Sequence, residues 1–143
     1  MIISQSAAIP YRRNDMKQLE VLLVTSRRKG RWVLPKGKRK RWMKPHISAA
    51  HEAFEEAGVL GMIEPEPAGV YRQQKVCGEF AREIIIHAFP MLVNTQLRNW
   101  PEKAIRKRRW MSIEEAVQAV RDLELAQLLQ AFATAHYRTD PEN

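Results

Sequence analysis

Three glutamates on one edge of a predicted helix constrain this chain more than any other feature of its sequence. Glu52, Glu55 and Glu56 are spaced n, n+3 and n+4 in a segment that ends at Gly58. Because an α-helix turns about 100° per residue, Glu55 and Glu56 lie within roughly 60° of Glu52. The small apolar residues of the segment fall on the opposite side. The spacing therefore predicts a helix that packs through an apolar edge and exposes a cluster of negative charge.

Three carboxylates this close repel one another unless something neutralises them. A hard divalent cation would do so, because Mg²⁺ takes oxygen ligands and is commonly shared between a few carboxylates and substrate phosphates. The alternative interpretation is an ordinary solvated helix face that carries glutamate. We favour the metal site, because the segment also matches a long motif of fixed spacing.

That motif extends from Gly37 to Val59. The sequence resembles the signature of the Nudix hydrolases, which runs Gly, five residues, Glu, seven residues, Arg-Glu, an apolar residue, any residue, Glu-Glu, any residue, Gly and an apolar residue. Two positions differ, since Met43 stands where the first Glu belongs and His51 stands where the Arg belongs. The matching positions are Gly37, Glu52, Ala53, Glu55, Glu56, Gly58 and Val59.

The resemblance implies a fold, a metal and a set of site residues. The fold would be an α/β (α+β) Nudix fold, with a mixed β-sheet sandwiched between α-helices in a single domain over residues 1–143. The cofactor would be Mg²⁺, with Mn²⁺ as an alternative. The implied catalytic residues are Glu52, Glu55 and Glu56, and the implied metal ligands are these three together with Gly37.

The charge of the chain favours a polyanionic partner. Lys and Arg number 24 against 16 acidic residues, which gives a formal charge of +8. Much of this charge is clustered between residues 27 and 44, next to the acidic helix. Nucleic acid, nucleotides and inositol phosphates would all be attracted by such a surface. By the Nudix resemblance, the polyphosphate would lie against Ser26, Arg27, Arg28 and Lys36, and a longer phosphate chain would reach Lys38, Arg39 and Arg41.

Further matches suggest a branch of the family. Residues 20–37, and the segment from Asn99 through Trp110 to Ala116, look like the branch that hydrolyses diphosphoinositol polyphosphates and dinucleoside polyphosphates. The predicted reaction is metal-dependent hydrolysis of a phosphoanhydride bond in a nucleoside diphosphate-linked or diphosphoinositol polyphosphate substrate. Glu79 and Glu83 are candidates for a base outside the motif, although a simple strand-end charge is the favoured interpretation of both.

Two alternative functions stay open. One is an RNA 5′-pyrophosphohydrolase, which the positive charge permits; nucleic acid is not the favoured partner, because the sequence shows no aromatic-rich track for a single strand. The other is a non-catalytic Nudix-fold protein that binds nucleotide or RNA and has lost activity through Met43 and His51.

The remaining composition predicts an intracellular protein. A single cysteine, Cys77, excludes an internal disulfide, and we expect it to be buried or half-buried. No run approaches the roughly 20 apolar residues of a membrane span, and the N-terminus lacks a signal-peptide pattern. We therefore expect a cytoplasmic protein without membrane contact, as a monomer or homodimer.

Periodicity and turn signals predict strands alternating with helices. Asn14-Asp15 indicates a hairpin turn, Pro35 to Gly37 a break, and Ser112 with Glu115 a capping box. Residues 138–143 are expected to be loose. The predicted strands cover residues 2–11, 20–25, 31–35, 69–76, 80–93 and 107–111, and the predicted helices cover residues from about 45 to 58, 112 to 120 and 123 to 137. Leu125, Leu128, Leu129 and Phe132 form the apolar stripe of the last helix.

Overall fold

The computed structural model describes residues 2–139, with side chains described as far as residue 136. It contains eight strands and three α-helices. In chain order these are β1 (Ile2–Arg13), β2 (Leu19–Thr25), β3 (Trp32–Val33), β4 (Lys36–Lys38), α1 (Pro45–Glu52), β5 (Val59–Ile63), β6 (Gly69–Cys77), β7 (Phe80–Gln96), β8 (Arg108–Ser112), α2 (Ile113–Ala119) and α3 (Leu123–Thr139).

All eight strands belong to one mixed sheet. Its main path has the order β3-β2-β1-β7-β5, and β4, β6 and β8 pair with β1, β7 and β2 respectively. The central β1–β7 pair is parallel, from Ile2 opposite Glu83 to Tyr11 opposite Leu92, and the other pairs are antiparallel. Residues 6–10 of β1 and residues 88–91 of β7 are continuously buried, and these stretches are almost entirely apolar, as expected where a parallel pair is covered on both faces.

Helices cover both faces of this sheet. On one face, Leu129 and Phe132 of α3 pack in the same cluster as Ile9 and Tyr71. On the other face, the apolar edge of the signature helix, with Ala49, Ala53 and Ala57, packs in a cluster with Leu22 and Phe89. The predicted mixed sheet sandwiched between helices is therefore confirmed, and so is the apolar stripe of the last helix.

The signature helix begins and ends where the sequence indicates. Pro45 occupies the start of α1, Lys44 provides no side-chain cap, and the helix ends at Gly58 in the left-handed conformation, with φ 67°. Only the last turn differs from the prediction, because residues Ala53–Ala57 form a π-helical segment instead of continuing α1. Such single π-helical turns within α-helices occur often at functional sites.

Several local predictions need correction. The stretch from Pro35 to Gly37 was expected to break regular structure, but Lys36 and Gly37 belong to β4, which pairs with β1. Strand β5 was not predicted; it is a short edge strand, and its register shifts at Gly61, where an added Cβ would meet the Leu92 carbonyl. Such a bulge weakens the alternation from which a strand is recognised.

One prediction on side-chain exposure and one on the order of the C-terminal residues were also wrong. Cys77 is exposed, contrary to the buried or half-buried position expected, because it lies at the tip of the β6–β7 hairpin. Helix α3 continues to Thr139, so residues 138–139 are helical, and residues 140–143 lie outside the described residues. No described helix is both long and apolar enough to cross a bilayer.

Candidate active site

The three signature glutamates follow one another along the signature helix but differ in exposure. Glu56, in the π-helical segment, is buried, with 7% of its surface exposed. The side chain of Glu52 is 12% exposed and that of Glu55 is 36% exposed. We call these three side chains the carboxylate edge.

Glu56 is held by one backbone hydrogen bond and one ion pair. The Lys36 backbone N–H donates to Glu56 Oε1 at 3.2 Å, and Arg106 Nη2 lies 3.2 Å from Glu56 Oε2. Burial raises the pKa of Glu56 to about 7, since desolvation disfavours the charged form; Arg106 opposes this effect and Glu52 adds to it. A carboxyl group with this pKa exchanges its proton near neutral pH, which suits acid–base chemistry.

Arg106 is a site residue that the sequence analysis did not identify. Its side chain is only 8% exposed; Nε donates to Glu102 Oε1 at 2.7 Å, and Nη1 donates to the Thr25 carbonyl oxygen at 2.9 Å. In the Nudix signature, an arginine precedes the first glutamate of the helix, and His51 occupies that position here. Arg106 supplies a guanidinium to Glu56 from the far end of the chain. The only sequence signal was its place in a segment that resembles one branch of the family.

The two other carboxylates have basic partners of their own. Lys40 Nζ lies 3.3 Å from Glu52 Oε2, and His51 Nε2 lies 3.7 Å from Glu55 Oε2, one helical turn away. Gly37 also belongs to this region, because a Cβ added to it would collide with the Glu52 carboxylate. The backbone of Gly37 therefore lies close to the Glu52 carboxylate.

The donor chemistry of this edge fits a hard divalent cation. The available donors are oxygens, three carboxylates beside the Gly37 backbone, as Mg²⁺ prefers. Among residues 2–139, no three acidic, histidine or cysteine side chains are already gathered into a ligand set. Metal binding would thus require the carboxylates to turn away from Lys40 and His51.

A cavity of about 760 Å³ opens beside Glu56. Glu56 is the one member of the carboxylate edge in its wall, and the other charged residues of the wall are basic except Asp122. Burial lowers the pKa of Lys36, whose Nζ donates to Gln5 Oε1 at 3.0 Å. The basic residues of the wall are Arg27, Arg28, Lys29, Arg31, Lys36, Arg72, Lys75, Arg106 and Arg121.

The structure separates the residues predicted to bind substrate into two groups. Ser26, Arg27, Arg28 and Lys36 line the cavity. Lys38 and Arg39 do not line it and are exposed, because β4 leads the chain away from the cavity.

The opposite wall was not predicted. It comes from β6, with Arg72 and Lys75, and from the α2–α3 connection, with Arg121. Neither Glu79 nor Glu83, the candidates for an outside base, lines the cavity; Glu83 lies 3.9 Å from Arg72 instead.

Several known proteins are similar to this chain in sequence or in fold. A family profile for the NUDIX domain matches residues 4–132. The chain is 33% identical over 137 residues to Nudix hydrolase 21, chloroplastic, of Arabidopsis thaliana, which covers 92% of this chain and 66% of that protein. It is 34% identical over 104 residues to diphosphoinositol polyphosphate phosphohydrolase 3-alpha of Mus musculus, which covers 71% of this chain and 60% of that protein. The chain thus spans less than two thirds of the length of these relatives.

A solved structure agrees on the fold. The Ap4A hydrolase of C. elegans, in a binary complex, superposes with a TM-score of 0.72 at 17% identity, covering 95% of this chain and 98% of that one. The match of the profile to most of the chain, the motif on α1 and the shared fold lead to one conclusion: this chain belongs to the Nudix family.

Proposed function

We propose that this chain hydrolyses a phosphoanhydride bond in a small polyphosphate substrate and requires a divalent cation, Mg²⁺ or Mn²⁺, to do so. One observation carries the proposal: the buried Glu56 carboxylate lies in the wall of a cavity whose other charged residues are almost all basic. The basic wall would hold the phosphates, and the carboxylate edge would hold the cation beside them.

Each part of the site has a distinct task. Arg27 and Arg28, on the exposed loop after β2, would bind phosphate oxygens at the mouth of the cavity, and Lys36 would bind them deeper inside. Glu52, Glu55 and Glu56, with Gly37, would hold the cation. When bound, a divalent cation polarises the phosphate oxygens and lowers the pKa of water.

Proton transfer is the task proposed for Glu56. Burial raises its pKa to about 7 in the metal-free site, which makes this carboxylate a stronger proton acceptor than an ordinary glutamate, and a bound cation would lower that value. Arg106 and the Lys36 N–H each hold one of its carboxylate oxygens, so the group keeps a fixed orientation.

The proposed substrates are nucleoside diphosphate-linked compounds and diphosphoinositol polyphosphates. Two features support this class: the high density of basic side chains around the cavity, which suits several adjacent phosphates, and the similarity to the mouse protein named above. An RNA 5′-pyrophosphohydrolase is the second candidate, favoured by the basic residues that lie outside the cavity, between residues 38 and 44.

A substrate panel tests the proposal. Phosphate release would be measured from diadenosine polyphosphates, diphosphoinositol polyphosphates, nucleoside triphosphates and 5′-triphosphorylated RNA, with Mg²⁺, with Mn²⁺ and with EDTA. We expect turnover with metal only, and the preferred compound identifies the substrate class. Glu66→Gln, at an exposed carboxylate away from the cavity, is the matched control for substitutions in the carboxylate edge. Absence of metal-dependent turnover on every compound would favour a non-catalytic binding protein.

A further inference from the structure

The four tryptophans of this chain have very different environments. Trp100 donates its indole N–H to the Glu56 carbonyl oxygen and stacks under Arg108, and Trp110 donates to Gln96 and stacks under Arg12. Trp32 is half-buried against the core. Trp42 alone of the four is 78% exposed, and no described residue in the range 2–139 hydrogen-bonds or stacks with it.

Trp42 lies in a loop that is rich in positive charge. Residues 39–44, which we call the basic loop, contain Arg39, Lys40, Arg41 and Lys44 and follow Lys38 at the end of β4. None of these residues lines the cavity, so the loop is a separate surface. An exposed aromatic ring among several basic side chains is the combination that binds a nucleobase with its attached phosphates, because the ring stacks on the base and the cations contact the phosphates.

The loop has a defined position at the carboxylate edge. Lys40 Nζ contacts Glu52 Oε2 at 3.3 Å, and the Met43 N–H donates to the Lys40 carbonyl oxygen at 3.1 Å, which closes a turn with Arg41 and Trp42 at its centre. Two residues span at most about 7 Å. The turn therefore presents Trp42 close to the residue that contacts Glu52, and the α1 helix begins immediately after the loop.

We propose that the basic loop is a nucleobase platform: Trp42 stacks on the base of a nucleoside whose phosphate chain runs along Arg39, Lys40 and Arg41 toward the carboxylate edge. The shared ligand chemistry is a purine or pyrimidine joined to a polyphosphate, either as a free nucleotide or as the 5′ end of RNA. This inference builds on the proposed function, because it assigns the part of the substrate that extends beyond the cavity.

An anionic membrane surface is the other partner that tryptophan and basic residues attract. The observations favour the nucleobase for two reasons. Trp42 is the one large apolar side chain of the basic loop that is strongly exposed, whereas interfacial binding uses an extended apolar face. The loop also contacts a site carboxylate directly, through Lys40.

Binding measurements test the platform without requiring turnover. Isothermal titration calorimetry would be performed in the Glu56→Gln background with Mg²⁺, using diadenosine tetraphosphate, a 5′-triphosphorylated oligonucleotide and inorganic tripolyphosphate. Trp42→Ala should weaken binding of the two nucleotide ligands by roughly five- to a hundredfold, as for loss of one base–aromatic stack, and Trp42→Phe should restore most of it. Tripolyphosphate, which has no base, should bind equally to all variants.

The controls separate stacking from other causes. Phe80→Ala removes an aromatic side chain of similar exposure, 76%, on the β6–β7 hairpin and should leave all affinities unchanged. The relative loss of affinity for diadenosine tetraphosphate and for the oligonucleotide distinguishes the two ligand sources. Equal loss of affinity for nucleotides and tripolyphosphate, or no loss for either, would overturn the proposal. Loss of binding to anionic phospholipid vesicles in Trp42→Ala, with nucleotide affinity intact, would overturn it in favour of a membrane surface.

Because the measured quantity is affinity, its outcome is independent of hydrolysis. A chain that binds nucleotides through Trp42 but hydrolyses none of them would retain the platform and contradict the proposed function. A chain that hydrolyses phosphoanhydrides but binds nucleotides equally well without Trp42 would support the proposed function and contradict the platform.

Discussion

Replacing Glu56 by glutamine should change how the stability of the protein depends on pH. The pKa of Glu56 is raised from the ordinary 4.5 to about 7 in the folded state. Between these two values the folded protein holds a proton that the unfolded chain has released, so its free energy of unfolding falls as the pH rises. Glutamine has nearly the shape of a protonated glutamic acid but no titrating proton, so the variant lacks this contribution.

The size of the effect follows from the two pKa values. Each pH unit over which the folded state holds one extra proton is worth about 1.4 kcal/mol. Such a carboxyl group has a pKa of about 7 in the folded state and 4.5 in the unfolded state. Its contribution to the free energy of unfolding therefore falls by about 2–3 kcal/mol between pH 5 and pH 8. The free energy of unfolding of Glu56→Gln, minus that of the wild type, should therefore increase by about 2–3 kcal/mol over this range.

Urea denaturation in EDTA, at several pH values from 5 to 8, measures this difference. Contributions from all other titrating groups cancel when the two curves are subtracted. Glu55→Gln, at a partly exposed carboxylate of the same edge, serves as the control, and its difference from the wild type should stay within about 0.5 kcal/mol. A difference for Glu56→Gln that is flat over the range, or that decreases with pH, would refute the argument that burial controls this carboxyl group.

Three further predictions concern contacts around the site. Arg106→Gln should lower the free energy of unfolding at pH 7 by about 1–3 kcal/mol in urea denaturation, because it removes the ion pair with Glu56 and the hydrogen bond to Glu102, while Glu56 can take up a proton at this pH; an unchanged free energy of unfolding would show that the pair is unimportant. Gly58→Ala should lower the free energy of unfolding by about 2 kcal/mol or more, as measured by thermal denaturation. Position 58 has φ 67°, and an added Cβ would lie 2.7 Å from the Trp100 ring, so unchanged stability would contradict this geometry. Arg28→Gln should raise KM roughly fivefold with little change in kcat, because it removes one screened charge contact with the substrate. Arg98→Gln, at an exposed position that does not line the cavity, is the control and should change neither KM nor kcat.

Elements set by local signals could be predicted from the sequence. The carboxylate spacing and Gly58 located the signature helix and its end, and the capping box was confirmed by reciprocal bonds between Ser112 and Glu115, at 3.1 and 3.0 Å. These features depend on residues within one or two helical turns of each other. The fold class, a mixed sheet between helices, could also be predicted, because each strand and helix is marked by its own local pattern of apolar residues.

Features that depend on sheet pairing could not be predicted in the same way. Arg106 lies 50 residues from Glu56 along the chain and reaches it because β8 pairs with β2, beside the signature helix. Arg72 enters the cavity because β6 pairs with β7. The Nudix resemblance placed Lys38 with the residues that would reach a longer phosphate chain, and the structure places Lys38 in β4, paired with β1, outside the cavity wall. Proximity in sequence therefore did not predict which basic side chains line the cavity wall.

The most direct test of the proposed function is phosphate release from the preferred substrate, followed as Mg²⁺ is titrated into the metal-free wild type and Glu56→Gln. We expect the wild type to turn over only when Mg²⁺ is present, and the variant to lose at least about a hundredfold in kcat while remaining folded, because it lacks the carboxylate that holds the cation and accepts the proton. Equal activity of the two proteins, or activity that persists in EDTA, would contradict the assignment of the carboxylate edge as the catalytic centre.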